Sequence, residues 1–219
     1  MEQIKNLVIR GSRIILVFLL LAILTQCHKD SLAIVPQATD TLALTQAEKD
    51  TIMKGSDTTV MRILTILNHK DSLQLRAKST SVRPDTNDVA LMRLINRMYK
   101  TVRASANAVG IASPQVGINR RIIWVERMDK TGKPFECYLN PKITIYSDKK
   151  ILFSGDGCLS IPGVYGTTHR AAAVVIEYDK PDGTHHTEIV EGYSLSSFTA
   201  IIFQHEIDHL YGILFIDRE

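Results

Sequence analysis

Apolar residues along this chain recur at two different periods, and the alternation between those periods predicts a mixed fold. From Asp88 to Ala104, Val89, Met92, Leu94, Ile95, Met98, Tyr99 and Val102 return at helical spacing, with Asp88 placed to cap the first turn. Met61 to Leu67 reads as a strand-like apolar run. Ile122 to Val125, Phe135 to Leu139 and Lys142 to Tyr146 also read as strands, punctuated by Gly132, Pro134 and Pro141. Ala172 to Tyr178 is β-branched, and Asp182-Gly183 supplies a hairpin turn toward His186 to Val190. Ser196 to Leu210 predicts a second helix, apolar round most of its circumference through Phe198, Ile201, Ile202 and Phe203. Strands bracketed by two helices point to an α+β domain spanning residues 59–219.

The pattern ahead of that domain differs. Lys5, Arg10 and Arg13 precede an unbroken apolar run from Ile14 to Leu24, which is too short for an ordinary spanning helix and fits the core of a secretory signal. Leu24-Thr25-Gln26-Cys27 resembles a bacterial lipobox, although Gln26 stands where a small residue is usual. Residues 1–27 are therefore expected to direct export to the cell envelope, with a lipid on Cys27 tethering the protein to a membrane or, failing that, a plain periplasmic product. Residues 28–58 are rich in Thr, Ser, Asp, Gln and Lys and show no sustained period, so they read as a flexible linker.

Composition narrows the chemistry. A formal net charge of +3 in 219 residues, without a dense Lys/Arg run, offers no electrostatic footprint for nucleic acid. Three cysteines are too few for a disulfide framework in a chain this long, which leaves other work for at least one of them.

That work is suggested by the second helix. His205-Glu206-Ile207-Asp208-His209 sets two imidazoles four residues apart on one helical face, where they can bind one metal ion with the adjacent Glu206 able to act as general base; the alternative is two unrelated histidines beside a solvated carboxylate. A catalytic site commonly needs a third protein ligand besides water. An H-E-x-x-H-x-x-G-x-x-H extension would place it at residue 215, which is Phe215 and cannot ligate. Glu219 is a poor candidate, so the third ligand is sought upstream. Gly155-Asp156-Gly157-Cys158 is the natural source, because flanking glycines allow close approach and a thiolate is a strong ligand. The bland alternative for Cys158 is a small buried side chain.

Three segments, in order, resemble peptide deformylase. The family's G-x-G-x-A-x-x-Q, E-G-C-L-S and Q-H-E-x-D-H motifs are matched by Ala108 to Gln115, Asp156 to Ser160 and Gln204 to His209. Ala108 and Asp156 depart from the pattern, replacing a glycine and a glutamate. The resemblance implies an α+β fold with antiparallel or mixed sheets around a central helix that carries the H-E-x-x-H motif. It implies hydrolysis of the N-formyl group of formylmethionyl peptides. Cys158, His205 and His209 would hold one divalent metal, ferrous by resemblance, with zinc or nickel as substitutes. Glu206 would act as base, and Gln115 with the Leu159 backbone N–H as oxyanion donors. Gly110 would hold the substrate backbone. Val109, Phe198, Ile201 and Ile202 either line a pocket for the methionine side chain or are plain core. The competing readings are a metallopeptidase of another class and a surface lipoprotein that binds metal or peptide with weakened catalysis.

Overall fold

A computed structural model describes residues 41–191 and 197–218. The expected signal, Cys27 and the first part of the expected linker lie outside the described residues. Among the described residues no helix is long and apolar enough to cross a membrane.

The elements run, in chain order, α1 (Gln46–Met53), α2 (His69–Arg76), α3 (Val89–Ala104), β1 (Gly110–Ala112), β2 (Ile122–Glu126), β3 (Phe135–Tyr146), β4 (Lys150–Cys158), β5 (Ile161–Ala171), β6 (Val174–Asp179), β7 (His185–Val190) and α4 (Thr199–Leu210). Five strands form one antiparallel sheet in the order β1-β2-β3-β6-β7, and β4 with β5 forms a separate hairpin. The α+β expectation holds.

Strand β2 shows how the layers assemble. Ile122 and Trp124 point into the cluster beneath α3, with Leu94, Ile95 and Met98; Ile123 and Val125 point the other way, toward Phe203 and Ile207 of α4. Successive side chains of a strand face opposite sides, so both faces of this sheet are covered by helix. Helix α3 shows one polar face, whereas all of α4 is buried. A helix buried on every side places its polar residues inside the protein, and in α4 these include His205, Glu206, Asp208 and His209.

Four sequence expectations need correction. Residues 28–58 are not wholly a linker: α1 forms within them, closed by a capping box in which Thr45 Oγ1 accepts from the Glu48 N–H and Glu48 accepts from the Thr45 N–H. Its Ile52 is fully buried and Leu44 nearly so. Burying one such side chain is worth about 1.5–3 kcal/mol, which a polar-looking sequence conceals. Second, Met61–Leu67 belongs to neither sheet and ends in a turn; its Leu64 and Ile66 N–H groups donate to Gln115 O (2.8 Å) and Ser160 O (3.0 Å). Third, the run split at Asn140-Pro141 is one strand, β3, whose register slips between Leu139 and Lys142; a bulge tolerates proline and the positive φ of Asn140. Fourth, the glycine-rich stretch around Cys158, for which the sequence predicts no strand, is the end of β4. Gly155 takes a positive φ where the hairpin register shifts.

Candidate metal centre and active site

Helix α4 and the β4–β5 hairpin approach each other at one point, and the expected ligands meet there. The ligating atoms of Cys158, His205 and His209 all lie within 4.8 Å of one another. The two imidazole rings stand edge to face at 5.1 Å, as helical spacing dictates, and Cys158 Sγ sits 3.2 Å from His209 Nε2. His205 Nδ1 donates to Asp156 Oδ1 at 2.9 Å, which turns its Nε2 toward the sulfur. A carboxylate behind an imidazole is the usual device for fixing a ligand's tautomer.

The electrostatics fit a cation. Burial opposes ionisation of the Cys158 thiol, yet the neighbouring His209 and His205 outweigh it and hold the thiol well below its ordinary range. Burial likewise opposes charge on His205, but Asp156 and Cys158 hold it well above. Asp156 is held down to about 2; its burial is overcome by His205, Arg170 and Thr168. The site thus sets a sulfur whose ionisation is favoured against two ring nitrogens, a donor set suited to zinc or iron. Buried His209 Nδ1 and Glu206 Oε2 have no hydrogen-bond partner among the described residues. These residues fit a single divalent metal ion.

Glu206 is almost fully buried, and that burial pushes its carboxyl up to about 7 against the pull of both histidines. A base poised near neutral pH suits proton transfer in both directions. Gly110 makes room for it: a Cβ there would fall 2.5 Å from Glu206 Oε1. Gln115 is buried and locked. Its Oε1 accepts from the Ala112 N–H (2.8 Å), while its Nε2 donates toward Cys158 Sγ (3.5 Å) and Ser160 Oγ (3.4 Å).

A pocket of about 470 Å³ opens over these groups. Gln115, Leu159, His205 and Glu206 line it, with Gly110 at the β1 edge. Val109, Phe198, Ile201 and Ile202 line its apolar part, so each of these four faces the cavity. His209 is not among the residues that line the pocket and is 1% exposed.

Several contributors escaped the sequence reading. Phe153, Ile161 and Tyr165 also line the pocket, and Phe153 packs its ring 5.3 Å from that of Phe198. Behind the ligands runs a buried ionic chain: Arg170 bridges Asp156 (3.1 Å) and Asp208 (2.5 Å), and Asp208 accepts from Arg218 (2.7 Å). Asp208 therefore orients arginines, and Asp156 orients the histidine. No local signal could have identified the role of Asp156, because it depends on contacts with His205 and Arg170 that are distant in sequence. The alanine at 108 is not strained, because positive φ among described non-glycine residues occurs only at Asn107, Lys133 and Asn140.

Comparison with known proteins agrees with this geometry. The family model for polypeptide deformylase matches residues 62–219. A peptide deformylase of Desulforudis audaxviator is 38% identical over 159 residues, covering 72% of this chain and 94% of the relative. Peptide deformylase 2 of Vibrio vulnificus is 36% identical over 157 residues, covering 72% and 86%. Among solved structures, the class I type b enzyme of Acinetobacter baumannii bound to Met-Ala-Ser superposes with a TM-score of 0.62 at 33% identity, over 74% of this chain and 99% of that one. A probable peptide deformylase from Synechococcus phage S-SSM7 gives 0.62 at 36% identity, over 73% and 99%. With a catalytic-type ligand set assembled as its motifs require and relatives matched along nearly their whole length, this chain belongs to the peptide deformylase family.

Proposed function

We propose that the pocket hydrolyses the N-formyl group of formylmethionyl peptides, releasing formate and a free N-terminal amine. The observation that carries the reading is the convergence of Cys158, His205 and His209 beside a buried base and an apolar cavity. The Acinetobacter relative with Met-Ala-Ser bound supports a peptide as the ligand.

A divalent ion held by Cys158, His205 and His209 would lower the pKa of a bound water and polarise the formyl oxygen. Glu206 accepts a proton from the attacking water as the water oxygen bonds to the formyl carbon. It returns that proton to the amine nitrogen as the C–N bond breaks. Gln115 Nε2 and the Leu159 N–H stabilise the developing oxyanion. The Gly110 edge of β1 pairs with the peptide backbone, a strand-addition mode. Val109, Phe198, Ile201 and Ile202 receive the methionine side chain. Formate release from formyl-Met peptides by purified protein, with metal content measured in parallel, tests the assignment; a metal-loaded protein that leaves such peptides intact would overturn it.

The segment before residue 28 supports a second part of the proposal: export and lipid attachment at Cys27. Outside the cytosol a ferrous–thiolate centre is open to oxidation, which favours zinc or another redox-stable ion in this protein. Stoichiometric iron in protein purified without added metal would sink that preference. Metabolic labelling with a fatty acid, lost in Cys27→Ser, tests the anchor.

A further inference from the structure

Residues 41–61 precede the region matched by the family model, yet they are tied into the fold by two buried arginines. Arg97 of α3 donates to Ile52 O (2.7 Å), Thr59 O (3.0 Å) and Thr51 O (3.4 Å). Arg120 donates to Ala43 O (2.6 Å) and Thr41 O (2.8 Å), and pairs with both oxygens of Glu48 (2.8 Å each). These bonds satisfy backbone carbonyls of the segment, and a guanidinium does so without giving up its charge.

Both grips lead to the turn that carries Gln115. This residue lies in a single 3₁₀ turn, Ser113–Val116, which has no ladder of its own to hold it. On one side, Met61 N–H donates to Thr101 Oγ1 (2.9 Å), and three residues on Leu64 N–H holds the Gln115 carbonyl (2.8 Å). On the other side, the loop leaving the turn ends at Arg120, whose whole donor set except one bond to Ser81 O is spent on residues 41–48. Two residues past Leu64, the Ile66 N–H donates to the carbonyl of Ser160, whose hydroxyl faces Gln115 Nε2.

We propose that residues 41–61 act as an intramolecular brace that positions the Gln115 amide for the transition state, through Arg120 on one flank of its turn and Leu64 on the other. Glu48, Arg97 and Arg120 are then positioning residues: none lines the pocket. The inference rests on the deformylase reading. A donor aimed at an oxyanion acts after binding, so loosening it lowers kcat and spares KM.

The test uses the full chain with Arg120→Leu, and Glu48→Ala as the milder variant that leaves the Thr41 and Ala43 bonds in place should the first not fold. Formate release is measured well below the melting temperature, with metal stoichiometry, and each change is repeated in a Gln115→Ala background. The brace predicts a kcat loss of roughly 2- to 30-fold with KM and metal content unchanged. It also predicts that the loss disappears once Gln115 is gone, because the braced group is no longer there. A lowered melting temperature with unchanged kcat, or an equal loss in the Gln115→Ala background, would overturn it. An inactive wild-type enzyme would instead count against the deformylase reading itself.

Discussion

At the scale of single residues, the centre works because burial is selectively overruled. Desolvation pushes the Glu206 carboxyl up to about 7, whereas His209 and His205 pull the Cys158 thiol down despite its burial. Replacing Glu206 with Gln keeps the shape and the metal ligands but removes proton transfer, so formate release should fall by about 10²–10⁴-fold with metal content unchanged. On the proposed role of Gln115 as an oxyanion donor, Gln115→Ala should lower kcat by about 10²–10³-fold. Asp156→Asn leaves a side chain able to reach His205 Nδ1 without the charge that holds it. Metal affinity, measured by competition with a chromogenic chelator, should weaken by roughly 10–100-fold. If Asp156→Asn bound metal as tightly as the parent, its orienting role would be wrong. Residue identity was where the sequence was most legible: the two histidines four apart and the base between them follow from helical geometry alone. Asp156 was less so, since nothing local distinguishes an acid that orients an imidazole from one that faces water.

At the scale of elements, α4 begins against a charged cluster that sets its position. The Asp129 N–H donates to Thr199 Oγ1 in the first turn, while Arg127, 1% exposed, binds Asp129, Glu188 and the Tyr138 hydroxyl. Burial raises Asp129 and Glu188, but the Arg127 hydrogen bonds outweigh it and both are held below the ordinary carboxylate range. Because these values are lowered on folding, the stabilisation is present above the unfolded values and is lost as pH falls through the folded ones. Thermal unfolding followed across acid pH should therefore show a decline beginning below about pH 4.5 that is blunted in Arg127→Met. The far end of α4 is as closely specified. Gly212 has φ +73°, and a Cβ there would stand 2.1 Å from Arg76 O, so Gly212→Ala should force α2 and the end of α4 apart. A loss of at least about 1–3 kcal/mol is expected from the backbone conformation alone. Helices α3 and α4 were readable because their apolar positions recur. Helix α2 was not, since His69–Arg76 buries only Asp71 and Leu75 and carries no period.

At the scale of the whole molecule, one cation joins two structural units. Cys158 comes from the hairpin and both histidines from α4, so removing the metal leaves the sulfur and imidazoles without the ion that would hold them together. A ligand at about 1,000-fold its Kd stabilises by about 4 kcal/mol, and for a domain of this size that is about 10 °C. Chelation should lower the melting temperature by that order and abolish formate release, and adding zinc should restore both. An apoprotein that melts where the holoprotein does would show that the ion does not bridge the units. Patterns that repeat within one element, the i, i+4 histidines and the alternating strands, were determined by the sequence by itself, because each depends only on the geometry of a few neighbouring residues. Which carboxylate stands behind His205, how β4 brings Cys158 to α4, and where residues 41–58 pack were decided only by the tertiary structure. Each of those is a contact between segments far apart in the chain, and its stability comes from burial and hydrogen bonds that no local pattern records.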